Sequence, residues 1–600
     1  MKRLVIIEDE NDLKKDKNTY YLSLNNNVTS RHNLITVNSI VDLYSNIVRN
    51  KYNKIINNFA SKFDITNDLS VIYPNRLNSK NLKSFALLFS DVLEKNNTSK
   101  SKYINQIIQL LAVEVFLKKN NFTHIENKIK NVLIKNQIEI LINDSHEIKN
   151  TFSIFLKFII IFKALVWLFF YVLKIFFLKI FIKNYASTKN NINFFTYINK
   201  PIIDNGNFSQ LYWGGIDKIF YKKNKKMSYV IAPQTLDSEI NFFKVIFFAY
   251  KNKNKNILFI ESYLTFRNFI FILFYFFKSL VINFNHKITI TNNNLSKIDL
   301  NHFYFYDFAR SLYGITFLKN VINYYCFLNF YKKSNVNLSI FIPFENQTWE
   351  KILCFISSNY KVEIYGSIHN FVCFWDLRFL PLRSSSFYNK LLPKKIITNG
   401  NLSRKNLLSM NYTAGNLLAA EALRFNNIYK RKFKFKIDHK LKKSSRILFL
   451  FDGNVENSKF QLSLLNNIDL NKISTCKIYL REHPSNIFLY KHKLTHEYVS
   501  QDYPLYKIIN NFDGVIASNE SSVFIYSLIN KIPFALIINP DNLNLNPLYK
   551  IRRYKLIYNI NDIYSFLNKL PLRKNYKFNP FEINNKLTLW NKIVDNIFNK

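Results

Sequence analysis

Glycine is scarce: nine in 600 residues, and none before Gly206. The nine are Gly206, Gly214, Gly215, Gly314, Gly366, Gly400, Gly415, Gly453 and Gly514. They make neither G-x-x-x-x-G-K nor G-x-G-x-x-G, so both Gly-rich phosphate loops are excluded. Any phosphate contact must come from side chains and helix N-termini. The four cysteines (Cys326, Cys354, Cys373, Cys476) form no C-x-x-C pair, which argues against a zinc knuckle and a disulfide framework. Asp204 and Asp217 make no D-x-D, so no metal site is indicated. The apolar run at the start, Leu4–Ile7, is too short for a signal peptide and reads as the first strand of a cytoplasmic α/β domain. With 48% apolar and 21% charged residues, the chain as a whole is neither disordered nor a polytopic transporter.

What abounds is lysine and aromatic residues, with 58 Phe and 37 Tyr. Phe, Tyr, Asn, Ile and Lys share AT-rich codons, so their abundance is discounted as a sign of function. The charge imbalance is more informative: 84 Lys and Arg against 40 acids, a net +44. It implies an anionic partner: a membrane surface, a nucleic acid or a phosphorylated substrate.

Residues 1–150 read as an α/β region of unknown role, with strands at Leu4–Ile7, Val71–Tyr73 and Ile138–Ile142 and a helix over Ile104–Leu117. Residues 151–185 are apolar but punctuated by Lys157, Lys163, Lys174, Lys179 and Lys183. The longest uncharged stretch, Ala164–Leu173, is too short to span a bilayer. On a helical wheel the lysines take roughly 200° of arc. That pattern predicts a helix lying in an anionic bilayer interface with its lysines snorkelling; the alternatives are a spanning helix and a buried core helix. A second run, Phe269–Phe277, either reinforces that surface or is core.

Over 190–430, strands at Ile192–Ile198, Tyr229–Ile231, Ile257–Ile260, Leu338–Ile342, Val362–Tyr365 and Lys395–Thr398 alternate with helix-length stretches. Residues 427–446 are basic and read as a linker. Over 440–600 the alternation resumes at Ile447–Phe451, Lys477–Leu480, Gly514–Ala517 and Phe534–Ile538, and 582–598 reads as a helix. The pattern predicts two Rossmann-like, doubly wound parallel units facing a cleft, with ligands outside the carboxyl ends of the strands.

Candidate chemistry sits at those ends. Strand Lys477–Leu480 runs into Arg481-Glu482-His483-Pro484, where a guanidinium and an imidazole can hold a phosphate and stabilise a leaving group. Strand Gly514–Ala517 runs into Ser518-Asn519-Glu520-Ser521-Ser522, whose hydroxyls and N–H groups at a helix start either cap the helix or hold an anion. In the other unit, Glu345-Asn346-Gln347 follows a strand, then Thr348-Trp349-Glu350. His369 follows the next strand, and Phe374-Trp375-Asp376-Leu377-Arg378 comes after it. Glu345 or His369 can take a proton from an acceptor hydroxyl. Trp349 and Trp375 suit either core packing or stacking on a sugar, and Asp376 and Arg378 either pair with each other or bind a sugar acid. Asp452-Gly453 reads as a turn, with a cleft contact as the alternative.

The His483-Pro484 turn, the Ser521-Ser522 helix start and the return Lys531-Ile532-Pro533 resemble the HP and SS motifs of bacterial capsule and sialic-acid-type glycosyltransferases. CDP-glycerol-type polymerases share that arrangement. The series Glu345-Asn346-Gln347-Thr348-Trp349-Glu350, Gly366-x-x-His369, Trp375-Asp376-Leu377-Arg378 and Asn399-Gly400, with Tyr212-Trp213-Gly214, is similar to a bacterial surface carbohydrate biosynthesis family of O-antigen clusters. Thr348 stands where that family has Pro. The resemblance spans about 192–540 and implies a GT-B-like, metal- and cofactor-independent glycosyltransferase. It implies a nucleotide-sugar donor, with CMP as one candidate nucleotide, held by Arg481, Glu482, His483, Pro484, Ser518, Asn519, Glu520, Ser521 and Ser522. It also implies a lipid-linked or glycan acceptor met by Asn346, Gln347, Trp349, Glu350, Trp375, Asp376 and Arg378, with Glu345, His369 and His483 catalytic. The enzyme is then expected on the cytoplasmic face of an anionic membrane. The alternatives are a polyol-phosphate transferase, a nucleic-acid-binding protein or a non-catalytic scaffold. Acids and amides at strand ends are not what a phosphate-backbone binder needs, so no nucleic acid is expected.

Overall fold

Short apolar runs alternating with longer amphipathic stretches fold here as strands joined by crossover helices. The computed structural model describes residues 3–13, 19–24, 33–62, 79–94, 102–143, 154–181, 192–198, 200–209, 212–233, 236, 241–252, 255–284, 290, 295–334, 338–381, 386–425, 444–473, 476–483, 497–500, 504–519, 524–539, 542–549, 554–570 and 581–598. The chain forms two units. The first comprises Met1–Ile368, Leu377–Ile397 and Leu408–Leu418; the second comprises His369–Asp376, Thr398–Leu407 and Ala419–Lys600.

The first unit contains two sheets. One has β1 (Arg3–Ile7), β2 (Thr19–Ser23), β3 (Leu34–Thr36) and β4 (His124–Asn127) in the order β3-β2-β1-β4, all parallel. The other has β5 (Ile192–Thr196), β6 (Met227–Ile231), β7 (Ile257–Phe259), β8 (Leu338–Pro343), β9 (Val362–Ser367), β10 (Lys395–Thr398) and β11 (Leu417–Ala419). Its order is β11-β10-β9-β8-β5-β6-β7, and the pairs from β10 to β7 are parallel. The second unit's sheet has β12 (Ser445–Leu450), β13 (Cys476–Arg481), β14 (Glu497–Tyr498), β15 (Gly514–Ser518), β16 (Phe534–Ile537) and β17 (Lys555–Ile557). Its order is β14-β13-β12-β15-β16-β17, all parallel. In each sheet the first strand lies between the second and the fourth. That is the Rossmann order, with its reversal between first and fourth strands.

Alternation along the strands of the second unit explains the double winding. Leu448, Leu450, Val515, Ala517 and Leu536 enter one buried cluster. Ile447, Phe449, Ile516, Ala535 and Ile537 enter another. With both faces apolar, both must be covered. The first cluster also takes in Phe371 and Leu402, from the two segments that leave the preceding sheet. Phe371 stacks on Phe581 at 4.4 Å and on Phe524 at 5.6 Å.

The α/β class and the alternating strands agree with the sequence. Ile138–Ile142 does not: it lies in helix Val132–Asn143, where Gln137, Ile138 and Leu141 are buried at helical spacing. Asn131 Oδ1 accepts the Ile134 amide at 3.3 Å and starts that helix. The strand expected at Val71–Tyr73 lies outside the described residues, as does the linker apart from its last three residues.

The apolar segment is a 28-residue helix, Ile154–Phe181. Ile160, Ala164, Leu168, Tyr171, Ile175 and Leu178 form a buried stripe along its length. Three of its lysines turn back onto the unit instead of snorkelling outward. Lys157 Nζ donates to Phe284 O at 2.6 Å, Lys174 Nζ to Leu236 O at 3.0 Å, and Lys179 Nζ to Leu264 O. Carbonyls at helix ends and in loops lack an intrahelical donor and so attract ammonium groups. The outward face is left to phenylalanines.

One glycine sets the turn that carries Glu345. Phe344 donates its amide to Ser367 O at 2.8 Å and lies against Gly366. A Cβ on Gly366 would come within 2.9 Å of Phe344 Cβ and 2.8 Å of Pro393 Cγ. Gly366→Ala is therefore expected to destabilise the first unit by about 1–3 kcal/mol, read as a lowered denaturation midpoint.

Candidate functional site

At the reversal point of the first unit, between β5 and β8, three separated stretches of sequence converge. Asn346, in the left-handed conformation at φ 58°, turns the chain out of β8. Gln347 then caps helix Thr348–Ser357 in a capping box completed by Glu350. Glu350 accepts the Glu345 amide at 3.1 Å and the Gln347 amide at 3.2 Å. It is fully buried; burial first, then the Glu345 carboxylate, pushes its carboxyl well above the usual range. Glu350 thus organises the turn from inside.

Glu345 is tied on both sides. Gln347 Nε2 donates to it, and Arg378 Nη1 lies 3.3 Å from its Oε2. Arg378 pairs here with Glu345, and its carbonyl accepts from Asn346 Nδ2. Trp349 stacks on Phe195 at 5.7 Å and donates Nε1 to Tyr197 OH at 3.0 Å. Tyr197, which follows β5, packs edge-on against Tyr212 at 5.9 Å. Trp349 is thus a wedge in the core, with no exposed ring face for a sugar. Thr348, at the family's proline position, is the first helical residue, a place that suits either type; its hydroxyl donates to Glu94 at 2.6 Å. Lys351 is buried beside Glu94 and Glu350, and burial lowers its ammonium to about 8.

His369, Trp375 and Asp376 belong to the second unit. Trp375 is fully buried, edge-on to Phe374 at 5.1 Å, so it too offers no ring face. Asp376 is buried and donates its amide to Cys373 O at 3.1 Å.

At the second unit's reversal point, between β12 and β15, Ser518 Oγ donates to Asp452 Oδ2. Asp452 also accepts the Asn454 amide at 2.9 Å and Asn457 Nδ2 at 3.1 Å. Asn457 Oδ1 accepts from Asn542 at 2.7 Å and Asn539 at 3.2 Å, joining the end of β16 to the cluster. Gln461 closes it by accepting the Asp452 amide at 2.9 Å and donating to Leu450 O at 2.9 Å. Around this network two buried donors have no partner among the described residues. They are Arg481 Nη1, on a side chain 7% exposed at the end of β13, and Asn519 Nδ2, on a residue 2% exposed past β15. A buried donor left unpaired is costly, and a ligand or an ordered water that supplies the acceptor relieves that cost.

His483, two residues beyond Arg481, is half-buried. Burial lowers its imidazole below the ordinary value; Asp452 opposes the shift and the Arg424 guanidinium adds to it. Glu482 is half-buried and acts electrostatically on Tyr498. Pro484, Glu520, Ser521 and Ser522 lie outside the described residues. Sequence reasoning read Asp452 as a turn residue with a cleft contact as the alternative, and passed over Asn457, Asn539 and Arg424. The Asp452-Gly453 turn after the first strand of a Rossmann-ordered sheet was the available signal.

No family model matches the chain, and no curated protein does. Among solved structures, it is similar to the UDP-GlcNAc 2-epimerase of Methanocaldococcus jannaschii in complex with UDP-GlcNAc and UDP. The identity is 13% over 68% of this chain and 99% of that one, with a TM-score of 0.39. The UDP-GlcNAc 2-epimerase from Neisseria meningitidis bound to UDP-GlcNAc is 12% identical, covering 68% and 100%, with a TM-score of 0.36. The glycotransferase of kitacinnamycin is 7% identical, covering 63% and 89%, at 0.34.

Removing the Glu350 carboxylate strands two amides. Glu350→Ala is expected to cost about 1–3 kcal/mol in urea unfolding, and Glu350→Gln, which keeps an acceptor, less than about 1. Because folding raises the Glu350 pKa, its protonated form adds stability at low pH that is lost as pH rises toward the folded value. Glu350→Gln should therefore lose less stability than wild type as pH rises from the acid range, read from urea midpoints along a pH series.

Proposed function

We propose that the chain is a nucleotide-sugar glycosyltransferase of bacterial surface polysaccharide assembly, with the donor's phosphates held at the carboxyl edge of the second unit's sheet. The observation that carries this reading is the pair of buried donors without partners among the described residues, Arg481 Nη1 at the end of β13 and Asn519 Nδ2 just past β15, on either side of β12 at the Asp452–Ser518 reversal point. Parallel sheets of this order take ligands at that edge. The sequence resemblance supports the same assignment and adds Ser521 and Ser522 to the donor-binding set.

In the reaction, an acceptor hydroxyl oxygen bonds to the anomeric carbon while that carbon's bond to the phosphate oxygen breaks. The nucleotide departs with the electron pair. Arg481 and the His483 N–H stabilise the charge that develops on the leaving phosphate. A His483 imidazole held below its ordinary pKa is neutral at pH 7 and donates a hydrogen bond without carrying charge. The acceptor's proton passes to a base, for which the sequence resemblance offers Glu345 and His369, each just past the carboxyl end of a parallel strand.

Thermal denaturation with CMP, CDP, UDP and GDP tests the reading. One nucleotide should raise the midpoint, and Arg481→Met or Asn519→Leu should abolish the shift. Each variant without ligand should be at least as stable as wild type, since a stranded buried donor costs about 1–3 kcal/mol. A protein that responds to none of the four, or variants that respond as wild type does, would overturn the proposal. His483→Ala is expected to lower donor turnover at least about tenfold without moving the ligand-free midpoint.

A further inference from the structure

The first unit presents an apolar surface that its own fold leaves open. Of 29 large apolar side chains exposed among the described residues, twelve lie on helix Ile154–Phe181, three on helix Phe242–Lys251 and seven on helix Phe266–Asn283. The outermost include Phe155, Phe162, Phe243, Phe247, Phe266 and Val281. Exposed patches of this extent mark an interaction surface.

The three helices form one neighbourhood. Near the start of Ile154–Phe181, Lys157 bonds Phe284, just past the end of Phe266–Asn283. Near its finish, Lys179 bonds Leu264, just before the start of that helix. The two helices therefore run in opposite directions, joined through the segments at each end of Phe266–Asn283. Helix Phe242–Lys251 packs against Ile154–Phe181 as well.

Charge identifies the occupant. The three helices carry eight cations and not one acidic residue; Lys157, Lys174 and Lys179 are bonded to carbonyls of the unit and Lys244 to Asp204, which leaves Lys163, Lys251, Arg267 and Lys278 for an anionic surface. A second copy of the chain meeting this surface would oppose cation to cation. Anionic lipid headgroups complement it, and their acyl region receives the phenylalanines. Cations lie beside rings as interfacial side chains do: Lys278 over Phe274 at 5.4 Å and Arg267 over Phe271 at 5.5 Å.

The geometry also selects how a bilayer is met. Ile154–Phe181, about 42 Å long at 1.5 Å per residue, has the length and composition to cross a membrane, as has Phe266–Asn283. Its buried stripe runs from Ile160 to Leu178, and lysines near both ends fasten it to the unit. A helix held along its whole length presents a side to the bilayer rather than an end.

We infer that these three helices form a monotopic docking surface for an anionic phospholipid bilayer, lying flat with their phenylalanines at the boundary between headgroups and acyl chains. The test is flotation of the full chain with vesicles of phosphatidylcholine alone and of phosphatidylcholine with an equal part of phosphatidylglycerol. Wild type should float with the mixed vesicles, about tenfold more weakly with the neutral ones, and less at high salt. The triple substitution Phe162→Ser, Phe169→Ser, Phe247→Ser changes exposed residues, so the thermal midpoint should hold while vesicle affinity falls at least about 100-fold. Wild type that stays unbound, a variant that floats equally well, or a wild-type dimer that the triple substitution dissociates without any vesicle binding would each overturn the inference.

Discussion

Each of the three sheets reverses its strand order beside its first strand, and crossover helices part there to opposite faces. The loops that follow the first and fourth strands are left facing one another. Polar side chains collect in that gap and must satisfy one another or wait for something else to do so. In the first sheet Glu8, past β1, accepts the Lys130 amide, past β4, at 2.9 Å. In the second, Tyr197 reaches Gln347. In the third, Ser518 reaches Asp452.

The gaps differ in what they leave open among the described residues: the second sheet's an acceptor, Asn346 Oδ1, and the third's two donors. In the second sheet Glu350 takes up two backbone amides, Gln347 and Arg378 hold Glu345, and Tyr197 receives the Trp349 indole N–H. Such a network fixes a shape. In the third sheet the Asp452 network leaves N–H groups of Arg481 and Asn519 buried without acceptors among the described residues. The apolar burial described above must carry that cost in the ligand-free protein.

The strands were legible because five or six apolar residues between turn-forming residues have few other places to go; Lys395–Thr398 was read to the residue. Short edge strands such as Glu497–Tyr498, exposed and charged, carry no periodicity to read. Ile138–Ile142 misled because a run of isoleucine and leucine suits a buried strand and a buried helix alike, and only the Asn131 cap upstream separates them. The motifs around Glu345 and Arg481 were visible as polar text after strands. Their roles were not, since burial and partner choice decide whether Glu350 or Trp375 meets a substrate or builds the interior. The lysines of Ile154–Phe181 were placed on the outer face because a helical wheel shows where charges lie on a helix but not which carbonyls its neighbours leave open.

The second unit takes two of its pieces, His369–Asp376 and Thr398–Leu407, from loops that rise out of the preceding sheet. Phe371 from one of them stacks in a row with Phe581 and Phe524, and Phe425 meets the same Phe581 at 4.5 Å. The chain accordingly passes between the units five times. No single crossover point exists at which recombination between related genes could exchange one unit for a foreign counterpart. A hybrid joined anywhere between residues 377 and 443 would ask Phe581 to accept an aromatic neighbour from another lineage. The two units are therefore bound to diversify as a pair.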